Sequence, residues 1–252
     1  MKSGTVKMLA LFVVCCLAAC GSDKGFKKAP PAVAASTNMQ LAIEYLRLGK
    51  MTESRDTIER ALEQNPASPD VQMTAGLIYE RLNDMPKADR AYVTGYKLGK
   101  GDPNIQNTYA GYLCRTGKAI EGEKLFVQVA SSPLYRTPEV ALINAGVCSR
   151  STGDVVDAER YFNKALAIHP NLPEAMLQLG NIAFDRGDAE QTREIVKHYL
   201  AVNPPTAEVL WLGFRAERKL GDAVAAAGYA RRVQTEYPDS QQAQMMRSGV
   251  DR

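Results

Sequence analysis

Residues 144–171 read NAGVCSRSTGDVVDAERYFNKALAIHPN. Apolar residues on both sides of Gly153-Asp154 recur at intervals of three and four, which is typical of two amphipathic helices joined by a turn. A small pair, Ala145-Gly146, precedes the turn, and Pro170 closes the stretch. A helical hairpin of this size cannot bury its apolar face alone, so the stretch predicts one unit of a stack.

The same pattern recurs along the chain. The residues just before the turn's Asp or Lys are spaced 34, 34, 36, 34 and 34 positions apart, and they are Gly49, Asn83, Gly117, Gly153, Gly187 and Gly221. Small residues where two helices must approach closely, and bulky sockets such as Tyr92 and Phe162, follow the same spacing. This pattern resembles the tetratricopeptide repeat, a 34-residue helix–turn–helix unit.

The resemblance implies an all-α fold, a right-handed superhelix of about six repeats within residues 36–252 and a closing C-terminal helix. The two-residue insertion near residues 131–139 implies an irregular stack between the third and fourth repeats. The expected repeat boundaries are about 35–68, 69–102, 103–138, 139–172, 173–206 and 207–240.

The amino terminus predicts export and lipid anchoring. Residues 1–19 have a lysine-bearing start and a short apolar core, as a signal peptide has. They end in Leu-Ala-Ala before Cys20, which resembles the lipobox of bacterial lipoproteins and makes Cys20 the acylated residue. The alternative is an ordinary signal peptide with Cys20 as a free thiol. The following Gly-Ser, in place of an Asp, favours the periplasmic face of the outer membrane, with residues 20–35 as a flexible tether.

Charge and motifs argue against other classes of function. Removing residues 1–19 takes away two lysines and no acid, so the formal net charge falls from +3 to +1, too little for a nucleic-acid-binding face. His169 and His198 stand outside any metal-binding spacing. We therefore expect no catalysis, no cofactor and no metal, with an enzyme lacking a recognisable motif as an alternative.

Two cysteines remain in the body of the chain. Cys114 and Cys148 lie 34 residues apart, on the first helices of adjacent repeats. First helices of neighbouring repeats are in contact, so a disulfide is feasible if the two Cα atoms lie within about 7 Å. The alternative is two buried thiols that act as small apolar fillers.

The inner face of the first two repeats predicts a binding site. First helices line the concave side of such a stack, and there the sequence supplies an apolar strip that contains methionine. Exposed apolar grooves usually mark interaction sites, although flanking chain such as the tether could cover this one. Further along, the expected stripe is mostly polar, and its residues are Asn104, Asn107, Arg115, Arg150, Asn181, Asp185, Trp211 and Arg215. The predicted strip is Met39, Ile43, Leu46, Met73 and Leu77.

The sequence of the central repeats resembles one particular family of tetratricopeptide repeat proteins. Residues 107–118, NTYAGYLCRTGK, and residues 131–154, SSPLYRTPEVALINAGVCSRSTGD, are similar to type IV pilus pilotin lipoproteins, the PilF/PilW family. That resemblance implies a monomeric adaptor that binds the pilus secretin subunit and promotes its targeting to the outer membrane and its oligomerisation, and hence pilus assembly and twitching motility. The alternative is a tetratricopeptide scaffold lipoprotein of another envelope assembly machine.

Overall fold

The computed structural model describes residues 30–249. The expected signal peptide, Cys20 and most of the tether lie outside this range. Within it the chain forms thirteen helices and no strand. The helices are α1 (Pro31–Arg47), α2 (Met51–Gln64), α3 (Pro69–Arg81), α4 (Met85–Leu98), α5 (Pro103–Arg115), α6 (Ala119–Ala130), α7 (Pro138–Ser151), α8 (Val155–Ile168), α9 (Pro173–Arg186), α10 (Ala189–Val202), α11 (Ala207–Leu220), α12 (Ala223–Glu236) and α13 (Gln241–Arg247).

The first twelve helices form six consecutive hairpins. Each odd-numbered helix packs against the helix that follows it, and neighbouring hairpins pack on one another. Helix α13 contacts both α11 and α12, in the place where a closing helix is expected. The predicted all-α superhelical stack is confirmed.

The turns explain the spacing seen in the sequence. All six residues of the 34-residue pattern adopt positive φ angles, from 59° at Asn83 to 95° at Gly187. This left-handed conformation ends a helix, and glycine adopts it without steric strain. The next residue in four of the hairpins is an Asp whose side chain accepts a hydrogen bond from the first turn of the second helix. The pair of residues at these turns, Gly-Asp in three hairpins and Asn83-Asp84 in the other, therefore ends one helix and begins the next.

Close packing within the hairpins follows the predicted alternation of small and bulky residues. A Cβ atom added to Gly146 of α7 would lie 2.7 Å from the ring of Phe162 in α8, which is fully buried. Gly76 of α3 meets Tyr92 of α4 in the same way, at 2.8 Å. Each small residue lets a large apolar side chain of the paired helix enter the core.

One expected boundary is wrong. Helix α1 begins at Pro31, so residues 31–35, assigned to the flexible tether, are helical. Proline is favourable in the first helical turn because its missing N–H needs no partner there. The alanines that follow are good helix formers, and Ala35 is buried against the first core cluster.

The third and fourth hairpins do not stack like the others. Helix α6 packs against α7 as extensively as against its own partner α5, whereas α4 packs much less extensively against α5, and α8 against α9. The loop between α6 and α7 contains the two extra residues, and α7 begins at Pro138. The irregular stacking expected from the insertion is present.

Glycine substitutions test this packing. Gly122→Ala would place a Cβ 2.7 Å from the backbone oxygen of Ala110 and 2.5 Å from Cys114 Sγ. We expect it to lower the free energy of unfolding by about 1–3 kcal/mol, because backbone cannot move aside cheaply. The matched control is Gly228→Ala in α12, where nothing lies within 4 Å. It should raise stability by about 0.5–1 kcal/mol in urea denaturation, through helix propensity alone. Equal effects of the two changes would contradict this packing.

Stability should also fall in alkali. Burial raises the pKa of Tyr79 to about 12, and burial together with a hydrogen bond to Asp89 raises that of Tyr112 to about 12. Between the ordinary value near 10 and these pKa values the folded chain holds more protons than the unfolded chain. This stabilisation is therefore complete below pH 10 and is lost as the pH rises towards 12. Urea midpoints measured from pH 9 to 12 should fall, and less steeply in Tyr112→Phe; a flat wild-type profile would contradict the assignment.

Candidate functional site

The first helices of the first four hairpins enclose an open groove. Its volume is about 690 Å³, and α1, α3, α5 and α7 supply most of its lining. The lining residues are Met39, Asp70, Met73, Thr74, Leu77, Tyr92, Asn104, Ile105, Asn107, Thr108, Gly111, Cys114, Arg115, Phe126, Asn144, Val147, Cys148 and Ser151.

The lining of the groove includes three of the five residues of the predicted apolar strip. Met39 and Leu77 line it, pack on the first core cluster and remain partly exposed. Met73 also lines it, but only 5% of its surface is exposed because its side chain extends to Gly95 of α4. Ile43 and Leu46 are half-buried on α1 and are not part of the lining. The groove is centred further along the stack than the sequence predicts, on α5 and α7.

The lining has a gap at Gly111 that the apolar pattern of the sequence does not predict. Leu77, Gly111 and Val147 occupy the same position in three successive first helices. At Gly111 the row has no side chain, and an added Cβ would lie 3.2 Å from Arg115 Nη1 and 3.9 Å from the ring of Phe126. Leu77 and Val147 therefore flank a notch that is bordered by the Phe126 ring and the Arg115 guanidinium, and its size suits a single side chain of a bound polypeptide. Comparing equivalent repeat positions in the sequence would have revealed it.

Amide side chains lie beside this apolar surface. Asn144 Nδ2 of α7 donates a hydrogen bond to Asn107 Oδ1 of α5 at 3.3 Å. Asn104 and Thr108 extend the same polar row on α5. A primary amide both donates and accepts hydrogen bonds, so such a row can pair with the backbone of an extended segment.

Arg115 is held in place by an internal partner. Its Nε and Nη2 atoms donate to the two carboxylate oxygens of Glu80 at 2.7 and 2.9 Å, and Tyr92 Oη donates to the same carboxylate at 2.9 Å. The ring of Tyr92 stacks on Tyr112, with 4.2 Å between centroids. The hydrogen bonds from Arg115 lower the pKa of Glu80 and those to Glu80 raise the pKa of Arg115. The charge of Arg115 is thus balanced inside the fold.

The two body cysteines meet at the floor of the groove. Their Sγ atoms lie 2.02 Å apart and their Cα atoms 5.7 Å apart, inside the separation that a bridge requires. This contact joins α5 to α7 at the irregular interface of the third and fourth hairpins. The structure therefore has disulfide geometry at the predicted pair.

The polar stripe further along the stack is only partly open. Arg150 Nη2 donates to Asp185 Oδ2 at 2.8 Å, and its Nη1 donates to Gln178 at 2.7 Å. Trp211, expected on the exposed stripe, has only 8% of its surface exposed and stacks on Phe214 with 5.2 Å between centroids. Trp211 is therefore buried although its repeat position predicts exposure, because burying its large apolar ring is favourable.

Residues 30–249 contain neither a candidate metal site nor a candidate membrane span. No group of three or more His, Cys, Asp or Glu side chains there could hold a metal ion. Nor is any helix in that part of the chain both long and apolar enough to span a bilayer.

Comparison with known families supports the repeat assignment. A tetratricopeptide repeat model matches residues 39–103, and a second one matches residues 150–212. Together they cover about half of the chain, and both fall on the hairpins described above. The chain is a tetratricopeptide repeat protein.

Two type IV pilus proteins are similar to this chain over most of its length. This tetratricopeptide repeat protein is 23% identical over 219 residues to the type IV pilus assembly protein PilF of Pseudomonas aeruginosa, a match that covers 87% of this chain and 85% of that protein. The crystal structure of PilW, described as a widely conserved type IV pilus biogenesis factor, is 28% identical with a TM-score of 0.72. That match covers 84% of this chain and 97% of the PilW chain.

A structure of Pseudomonas aeruginosa PilF has the same fold. It is 21% identical with a TM-score of 0.67, over 87% of this chain and 99% of that chain. The tetratricopeptide repeat protein is therefore homologous to PilF and PilW over most of its length.

Proposed function

We propose that this tetratricopeptide repeat protein is a lipid-anchored, monomeric adaptor of type IV pilus assembly. In this proposal it binds the pilus secretin subunit and promotes its targeting to the outer membrane and its oligomerisation. The role is one of binding, without catalysis. The anchor is Cys20, on the periplasmic face of the outer membrane.

The homology carries the proposal. The matches cover 87% of this chain and 85% of PilF, and 84% of this chain and 97% of the PilW chain. A protein that matched only the repeat would support any scaffold role. Identity of 23% and 28% together with high coverage of both proteins favours pilus assembly over another envelope machine.

The groove suits such a role. Its floor is apolar and includes an adaptable methionine, its edge carries amides, and its Arg115 is neutralised internally by Glu80. Apolar anchors fix a bound segment and amides hold its backbone, which is how helical grooves recognise polypeptides. In the proposal, the secretin segment lies across α3, α5 and α7 while the acyl chains hold the complex at the membrane.

Affinity purification tests the partner. The tagged full-length protein is captured from solubilised outer membranes, and the proteins that co-purify are identified by mass spectrometry. The proposal predicts the pilus secretin as the main partner. Recovery of a different envelope complex, without secretin, would replace the proposal with the alternative scaffold role.

The anchor is tested separately. Several acyl chains bind a membrane stably, since each buried methylene contributes about 0.8 kcal/mol, whereas one chain is marginal. Mass spectrometry of the mature amino terminus should therefore find Cys20 as the first residue, with added acyl mass. A Cys20→Ser variant should leave the membrane fraction. An unmodified mature terminus upstream or downstream of Cys20 would remove the anchor from the proposal.

A further inference from the structure

The far end of the concave face has two cations over one aromatic ring. Arg215 and Lys219 lie one turn apart on α11, and Phe184 lies on α9. The guanidinium carbon of Arg215 is 3.9 Å from the Phe184 ring centroid, and Lys219 Nζ is 5.3 Å from it. Arg215 occupies the repeat position that Leu77 occupies in the groove, so the concave face changes from apolar to cationic along its length.

Equivalent positions in earlier repeats hold complete salt bridges. Glu80 and Arg115 pair between α3 and α5, and they are 35 residues apart. Arg150 and Asp185 pair between α7 and α9, at the same separation and with the charges exchanged. Phe184 and Lys219 occupy these two positions between α9 and α11, and there the acid is replaced by phenylalanine. The chain therefore supplies the cation and omits its carboxylate.

Arg215, one turn before Lys219, also lacks an acidic partner in the part of the chain that the structure describes. It is half-buried, and among residues 30–249 it makes no hydrogen bond or ion pair. Burial lowers its pKa, and the nearby Asp185 only partly opposes that effect. Asp185 already accepts a hydrogen bond from Arg150. A guanidinium has five donors. Those of Arg215 are accessible from the surface, since no buried side-chain nitrogen or oxygen within residues 30–249 lacks a partner, and they are therefore available to a ligand.

Ordinary helix electrostatics explains only part of this arrangement. Cations in the last turn of a helix interact favourably with the helix dipole, which accounts for Lys219. Arg215 lies a turn earlier, and its contact with Phe184 is a cation–π interaction that needs only one cation. Two positive charges beside one ring repel each other, and a bound anion would reduce that repulsion.

We propose that Phe184, Arg215 and Lys219 bind an acidic side chain of the partner polypeptide that lies along the concave face. The fork of the guanidinium matches a carboxylate, and the ammonium one turn away adds a second charge-assisted hydrogen bond. A site between two inner helices of the concave face suits a polypeptide, since a flat bilayer surface cannot follow a concave wall. The bound segment would carry apolar residues towards α3 and an acid towards α11. In identifying the partner, the inference rests on the proposed function.

The single tryptophan provides a local reporter. Trp211 lies one turn before Arg215 on the same helix, and the chain contains no other tryptophan. The probe is a hepta-glutamate peptide blocked at both ends, added to the full mature chain in detergent, with hepta-glutamine as the uncharged comparison. We expect saturable change of Trp211 fluorescence with hepta-glutamate alone, weakening as salt is added because the contacts are ionic.

Two double variants of equal net charge test whether hepta-glutamate binding depends on Arg215 and Lys219. Arg215→Gln with Lys219→Gln should weaken hepta-glutamate binding at least about 10-fold. The control, Lys164→Gln with Arg231→Gln, removes two exposed cations from the outer helices α8 and α12, and should change binding less than about 2-fold. Absent binding to the wild type, or equal loss in both variants, would overturn the site.

A second binding experiment, with lipid vesicles, tests whether the site binds anionic lipid headgroups and not an acidic side chain. Vesicles containing phosphatidylglycerol should bind both double variants equally. If vesicle binding instead depends on Arg215 and Lys219 while hepta-glutamate does not bind, the site contacts a membrane surface and the inference is wrong. The assay contains no secretin, so its failure is distinguishable from failure to capture secretin in the affinity purification.

Discussion

A chain with Met39→Glu and Leu77→Glu is expected to fold and to lose secretin capture by a factor of at least about 100, because a bound segment would have to bury two carboxylates against apolar surface. Both side chains line the groove and are partly exposed, so the free protein can hydrate the new charges. Affinity purification against the wild type measures the loss. Semi-denaturing gels of whole membranes should show the secretin as monomer in place of assembled ring.

The matched control makes the same chemical change outside the groove. Leu98→Glu with Val224→Glu replaces two apolar side chains that are 45% and 86% exposed, at the end of α4 and the start of α12. It should leave capture and ring assembly at wild-type levels. Circular dichroism melting of both double variants checks folding. Normal rings in the Met39→Glu, Leu77→Glu chain would place the secretin contact elsewhere.

The fold was predictable because one local requirement repeats. Each turn needs a left-handed residue, and a residue type that tolerates it marks the six positions from Gly49 to Gly221. Hairpins of equal length must then pack equivalent faces together, so the small and bulky positions follow the same spacing. An additional Asp after the turn caps the second helix in four hairpins. Six consistent units determined the architecture even though no single unit would have.

The binding face was predicted less well, because repeat position fixes which face a residue occupies and not how deeply it is buried. Met73 and Trp211 lie on inner helices yet are nearly buried, since long or large side chains reach neighbouring helices. The notch at Gly111 depends on the absence of a side chain between Leu77 and Val147, which a search for apolar residues passes over. The salt bridges across the inner helices needed coordinates, because they join residues 35 positions apart whose geometry depends on the stacking.

Loss of the Cys114–Cys148 pair is expected to destabilise the protein by about 3–4 kcal/mol, the loop entropy of a closure of this length. The bond would close a loop across 34 residues and join the irregular third and fourth hairpins. Urea denaturation of Cys114→Ser with Cys148→Ser measures the effect. Reductant should lower the stability of the wild type to that of the variant and should leave the variant unchanged.

A thiol count decides between the bridge and two buried thiols. Residues 20–252 carrying Cys20→Ser retain only Cys114 and Cys148, so unreduced, unfolded protein should show no reactive thiol. Two reactive thiols would contradict the bridge. Because the two cysteines also line the groove, the Cys114→Ser, Cys148→Ser chain should bind secretin more weakly even where it is fully folded. The bond fixes α5 against α7, and with them the amides of Asn107 and Asn144, so its loss allows the two halves of the proposed binding surface to move apart.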